Sequence, residues 1–160
     1  MVGDRRRAVR HAGRAGGLLL VFFGYTHCPD ICPTTLVDVR LALREPDLDA
    51  ERVSVAFATV DPERDTPDVL VPFLGHFVEE RSHALATTDE AELAAAMAAF
   101  RASAEKVPDP DGEGYEMSHT AQVFVVDETG TVLVEWPFGT YPESMAHDLR
   151  VLLARQADDA

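Results

Sequence analysis

Two cysteines in 160 residues are too few, and too close together at positions 28 and 32, to build a disulfide framework. That spacing suits a redox pair or a metal clip. Basic residues are also scarce: 14 Lys and Arg stand against 28 Asp and Glu, a net charge of −14. A phosphate backbone has to be met by clustered cations, so nucleic-acid binding is excluded. Long apolar runs are missing as well, since Leu18 to Phe23 falls far short of the ~18 to 20 residues that cross a bilayer. No internal repeat is visible. What remains, at 46% hydrophobic content, is enough to bury one sizeable core in a single domain.

The charge is uneven. Arg5, Arg6, Arg7, Arg10 and Arg14 against Asp4 give residues 1–16 about +4, which leaves about −18 for the remainder. That acidic remainder suits cationic partners or metal ions. The Arg-rich start followed by Leu18 to Phe23 imitates a secretory signal, yet no small-residue cleavage site follows. Tyr25, Thr26 and His27 before Cys28 are too bulky for lipoprotein processing, so the apolar run reads as a core strand. The expected division is a poorly ordered basic lead over 1–17, one domain over 18–154 and a polar tail over 155–160.

Leu18 to Gly24, apolar throughout, predicts a strand buried on both faces. Cys28-Pro-Asp-Ile-Cys32 follows it, and Pro33 starts a helix with Leu36, Val39 and Leu43 on its apolar face, ending near Arg44. Val53 to Thr59 predicts a second strand. Thr66 and Pro67 then open a helix burying Leu70, Phe73, Leu74, Phe77 and Val78, with a kink expected at Pro72. Ser82 to Thr87 reads as a short strand, and Asp89 with Glu92 as a capping box for a helix striped by Leu93, Ala96, Met97 and Phe100. Residues 105–116, rich in Pro, Gly and acids, read as a loop or a poorly ordered hairpin. Thr120 to Val126 and Thr131 to Phe138 predict a β-hairpin, and Met145, Leu149, Leu152 and Leu153 stripe a last helix. This order gives an α/β fold with a mixed central sheet flanked by helices, of thioredoxin-like type.

Cysteines between a buried strand and a helix start are badly placed for mere packing. A helix beginning at Pro33 would aim its positive end at Cys32 and favour the thiolate, the form that attacks disulfides and binds metals. Two thiolates with one imidazole suit Cu(I) or Zn(II) and not Mg(II) or Ca(II). Of His11, His27, His76, His83, His119 and His147, His119 sits where a late strand starts, at which this architecture brings a loop beside the first helix. Alone it would read as an ordinary histidine; its context makes it the candidate third ligand. Asp65 could orient His119 or coordinate an oxidised metal. Met117 could offer a thioether, although an ordinary loop residue explains it better.

Three blocks together resemble the SCO/SenC family of copper chaperones for cytochrome c oxidase assembly: Phe22 to Leu36 around the cysteines, Val60-Asp-Pro-Glu-Arg-Asp-Thr-Pro67, and Ser118-His119-Thr120. The likeness runs from about Leu18 to Leu153. It implies a thioredoxin-like fold, with Cys28, Cys32 and His119 as copper ligands and Asp65 in an acidic loop near the metal. It further implies copper delivery to the dinuclear centre of oxidase subunit II outside the cytoplasm, on the periplasmic side or outer face of the membrane, after a thiol reductant has opened any Cys28–Cys32 disulfide. Family members usually carry a membrane anchor or signal and a β-hairpin before the first core strand; here a short Arg-rich lead stands in that place.

The alternative reading is a thiol-disulfide oxidoreductase acting on the cysteines of that subunit. General oxidoreductases use a two-residue spacer and a cis-Pro facing the thiols, whereas this chain has three residues between its cysteines and Ser118-His119 in place of the proline. A peroxidase or redox sensor, with little use for His119, is a third.

Overall fold

The computed structural model describes residues 16–78 and 82–158. Five strands form a mixed sheet in the order β3-β2-β1-β6-β7, and β4 and β5 pair separately. The strands are β1 Leu18–Gly24, β2 Val53–Thr59, β3 Ser82–Leu85, β4 Ala104–Pro108, β5 Tyr115–His119, β6 Val123–Val126 and β7 Val132–Trp136. The helices are α1 Ile31–Leu43, α2 Pro67–Phe77, α3 Glu90–Ala99 and α4 Pro142–Asp158.

The apolar run of β1 makes it the central strand. It pairs in parallel with β2 on one side and antiparallel with β6 on the other, and all seven of its residues are buried. Successive residues of a strand face opposite sides. Phe22 accordingly meets Phe57, which meets Phe73 of α2, while Phe23 meets Phe100, just beyond the end of α3, and Phe124 of β6. Helices thus cover both faces. α1 packs against both α2 and α4, and Trp136 Nε1 donates to Asp148 Oδ2 at 2.9 Å to tie β7 to α4.

Several boundaries differ from the sequence reading. α1 begins at Ile31, so Pro33 lies within its first turn, where a missing N–H costs nothing. α2 runs through Pro72, with Leu70 and Leu74 buried. The expected capping box is only half formed. Asp89 accepts the N–H groups of Ala91 and Glu92, but Glu92 accepts from the Thr87 hydroxyl and Thr87 caps Asp89 in its stead. Asp127 Oδ1 gathers the N–H groups of Thr129 and Thr131 in the β6–β7 turn, closed by Gly130 in the left-handed region at φ 89°.

Residues 105–116, expected as a loop or loose hairpin, form most of the antiparallel β4–β5 ribbon with Ala104 opposite His119. α4 extends to Asp158, so residues 155–158 of the expected tail are its last turn. The Arg-rich lead lies outside the described residues except for Gly16 and Gly17. Gly16 is held by Arg52, whose guanidinium donates to its carbonyl at 2.7 Å. Among the described residues no helix is long and apolar enough to cross a membrane.

Candidate metal centre

The carboxyl end of the central parallel strands is where an open α/β sheet gathers its chemistry. β1 ends at Gly24, and residues 25–30 carry the chain into α1. Cys28 lies in that loop and Cys32 in the first turn of the helix. Both are free thiols; Cys32 is 0% exposed and Cys28 7%. His119, the last residue of β5 and not the first of a later strand, reaches them from the hairpin. One donor atom from each of Cys28, Cys32 and His119 lies within 4.8 Å of the other two, and His119 Nε2 stands 3.5 Å from Cys32 Sγ.

The imidazole is fixed in one orientation. Its Nδ1 is 3.0 Å from the Thr120 carbonyl oxygen, an acceptor only, so Nδ1 carries the proton and Nε2 presents its lone pair to the sulfurs. Burial lowers the His119 pKa, opposed by main-chain hydrogen bonds to Thr120 and Phe23, and so favours the neutral ring, the form in which an imidazole can bind a metal. The rings of Tyr25 and Phe22 stand edge-on to it at 5.7 and 6.2 Å.

The two sulfurs differ in a way the sequence did not suggest. The helix start serves Cys28, whose Sγ lies 3.4 Å from the donating N–H of Cys32. Burial instead pushes the Cys32 thiol up, against a main-chain hydrogen bond from Tyr25. Cys32 is therefore the inner thiol, whose protonated form burial favours, and Cys28 is the outer sulfur.

Gly24 makes room for this arrangement. A Cβ there would lie 2.9 Å from Cys32 Sγ and 3.0 Å from the Phe57 ring, both fully buried. Gly24→Ala is expected to lower stability by about 1 to 3 kcal/mol, read from thermal or denaturant melts, because neither neighbour can retreat.

Asp65 is 0% exposed, but its carboxylate is spent elsewhere. It accepts the Thr26 N–H at 3.0 Å, the Thr26 hydroxyl at 2.5 Å and the Thr59 hydroxyl at 2.7 Å. These bonds pin the loop before Cys28 to the end of β2. The group that orients His119 is the Thr120 carbonyl, and Asp65 supports the cysteine loop from behind. Met117 is partly buried against the core. His27 is exposed, with its Nδ1 3.3 Å from the Thr26 hydroxyl. Sequence reasoning missed Gly24, Tyr25, Arg64 and Tyr115; the only signal was that all four lie in or beside the same three motif blocks.

The family model SCO1/SenC matches residues 1–154. A SCO2-like protein of Rickettsia conorii is 31% identical over 139 residues, covering 84% of this chain and 65% of its own length. The chain thus spans under two thirds of that relative. Among solved structures, Bradyrhizobium japonicum ScoI with copper bound superposes with a TM-score of 0.76 at 37% identity, covering 92% of this chain and 88% of that one. Apo Sco1 from Thermus thermophilus gives 0.70 at 33% identity, covering 93% and 82%. The fold is therefore thioredoxin-like, as the element order implied. With the family model spanning nearly all of it, and with two thiols and an imidazole converging at the end of its central strand, this chain belongs to the SCO1/SenC family.

Proposed function

We propose that this chain is a copper chaperone that binds Cu(I) through Cys28, Cys32 and His119 and passes it to cytochrome c oxidase subunit II for the dinuclear copper centre. The observation that carries the reading is the convergence of two sulfurs and one neutral imidazole nitrogen within 4.8 Å. Soft thiolates select Cu(I), and a site with few donors can give its ion to an acceptor that brings more. The copper-bound ScoI of B. japonicum, at 37% identity, supports copper over zinc as the cargo.

Redox state gates loading. Joining Cys28 to Cys32 releases two electrons and two protons to an oxidant and removes both sulfur donors, so a thiol reductant must return them before copper enters. The family's site of action, outside the cytoplasm, is where such oxidation arises.

Thiol-disulfide exchange on the acceptor's cysteines is the second reading, favoured by the unequal thiols. Cys28, the outer one with a main-chain donor on its sulfur, would attack, and buried Cys32 would resolve the mixed disulfide.

Anaerobic Cu(I) titration of the reduced protein against a competing chelator tests the proposal. One tightly held equivalent, weakened by about two orders of magnitude in His119→Ala while disulfide formation persists, is the expected result. Weak binding indifferent to His119 would overturn the chaperone reading in favour of the oxidoreductase.

A further inference from the structure

β5 carries His119, yet β4 and β5 pair only with each other, and no main-chain ladder among the described residues joins them to the five-stranded sheet. The hydrogen bonds from Thr120 N–H to Ser103 and from Ser103 N–H to Thr120 tie the hairpin's two ends together and not to the core. Apart from the hydrogen bond between His119 and the main chain of Phe23, side chains must therefore hold the hairpin against the cysteine loop.

Tyr115 opens β5 on the same face as Met117 and His119, because strand side chains alternate. Its hydroxyl donates to Asp61 Oδ1 at 2.6 Å. Arg64 donates from Nε to the other oxygen of that carboxylate at 2.5 Å and lays its guanidinium 3.8 Å over the Tyr115 ring. Asp61 is 3% exposed, so both bonds to its charge are shielded from water. Arg64 also lies 5.9 Å over Tyr25, the ring that stands edge-on to His119 and whose hydroxyl is hydrogen-bonded to the main chain of Met117. The contacts close a circuit from the loop after β2, through the first residue of β5, to the imidazole. The neighbouring Lys106–Glu63 pair is exposed on both sides and contributes little.

We propose that Tyr115, Asp61 and Arg64 are positioning residues that latch the β4–β5 hairpin and thereby set how long copper is retained, acting only through His119. This rests on the copper reading above. The latch lies outside the donor set, so its release would free the nitrogen ligand while leaving both sulfurs in place.

Tyr115→Phe, which keeps the ring and removes the hydroxyl, tests it alone and combined with His119→Ala. Release of Cu(I) from the loaded protein to excess chelator is expected to speed up about tenfold in Tyr115→Phe, and to change by less than about twofold when His119→Ala is already present. In the metal-free protein, amide hydrogen exchange over Glu116 to His119 is expected to rise with β1 unchanged, and Arg64→Met should do the same. Unchanged release, or an equal acceleration in the His119→Ala background, overturns the proposal. A wild-type protein whose copper retention ignores His119 sinks the chaperone reading instead; the exchange measurement still decides the latch, and unchanged exchange over β5 in both variants rejects it.

Discussion

Cys28→Ser and Cys32→Ser are each expected to lose at least about two orders of magnitude in Cu(I) affinity. A site of Cys and His donors draws on the order of 10 kcal/mol from its metal, and one of three donors removed takes roughly a third of that, or ~3 kcal/mol. The two variants should differ in stability. Serine at position 32 places a hydroxyl in a fully buried position beside Gly24, at a cost of about 1 to 2 kcal/mol. At position 28, on the rim, the cost should be smaller. Chelator competition and thermal melts on both proteins separate these effects, and retained tight binding in either would remove that sulfur from the site. Because burial raises the Cys32 thiol, loading must displace its proton, so wild-type affinity should climb as pH rises through neutrality and fall in acid.

Asp65→Ala is expected to be among the most destabilising single changes outside the core. The carboxylate accepts one N–H and two hydroxyls in a place without solvent, and its loss strands the Thr26 N–H and the hydroxyls of Thr26 and Thr59. Buried donors left without partners cost about 1 to 3 kcal/mol each before relaxation, which puts the net near ~3 kcal/mol. For a domain of this size that is a fall of about 6 to 12 °C in Tm. Copper affinity should decline far less, by about tenfold or under, because the contacts of Asp65 are with the loop and not the donor set. A loss of copper as deep as that in the cysteine variants, with an unchanged Tm, would make Asp65 a ligand.

Much of the molecule is legible from neighbouring residues. An unbroken apolar run from Leu18 to Phe23 can only be satisfied by burial on both faces, which determines β1 as the central strand. Cysteines four apart at a strand-to-helix passage, one in the loop and one in the first turn of the helix, determine that their sulfurs meet. The stripe of Met145, Leu149, Leu152 and Leu153 determines α4 and its buried face. These features depend on short-range periodicity and chain stiffness, which a single sequence displays openly.

Other features were decided only when distant segments came together. Residues 105–116 have the composition of a loop, and in part become strand because Ala104 and His119 pair across a ribbon seated on the core by Met117 and tied by Tyr115 to Asp61. Glu92 left its capping-box role for Thr87, a partner five residues back. The helix start served the outer sulfur and not the inner one, since the position of a thiol relative to an N–H is set by loop geometry. Tyr115 meets Asp61 across 54 residues of chain. The sequence by itself determined which donors exist and the strand and helix between which the thiols sit. Tertiary structure alone decided which sulfur is buried, which carbonyl holds the imidazole and what braces the hairpin, because burial and directed hydrogen bonds are properties of the packed chain and of no local stretch of it.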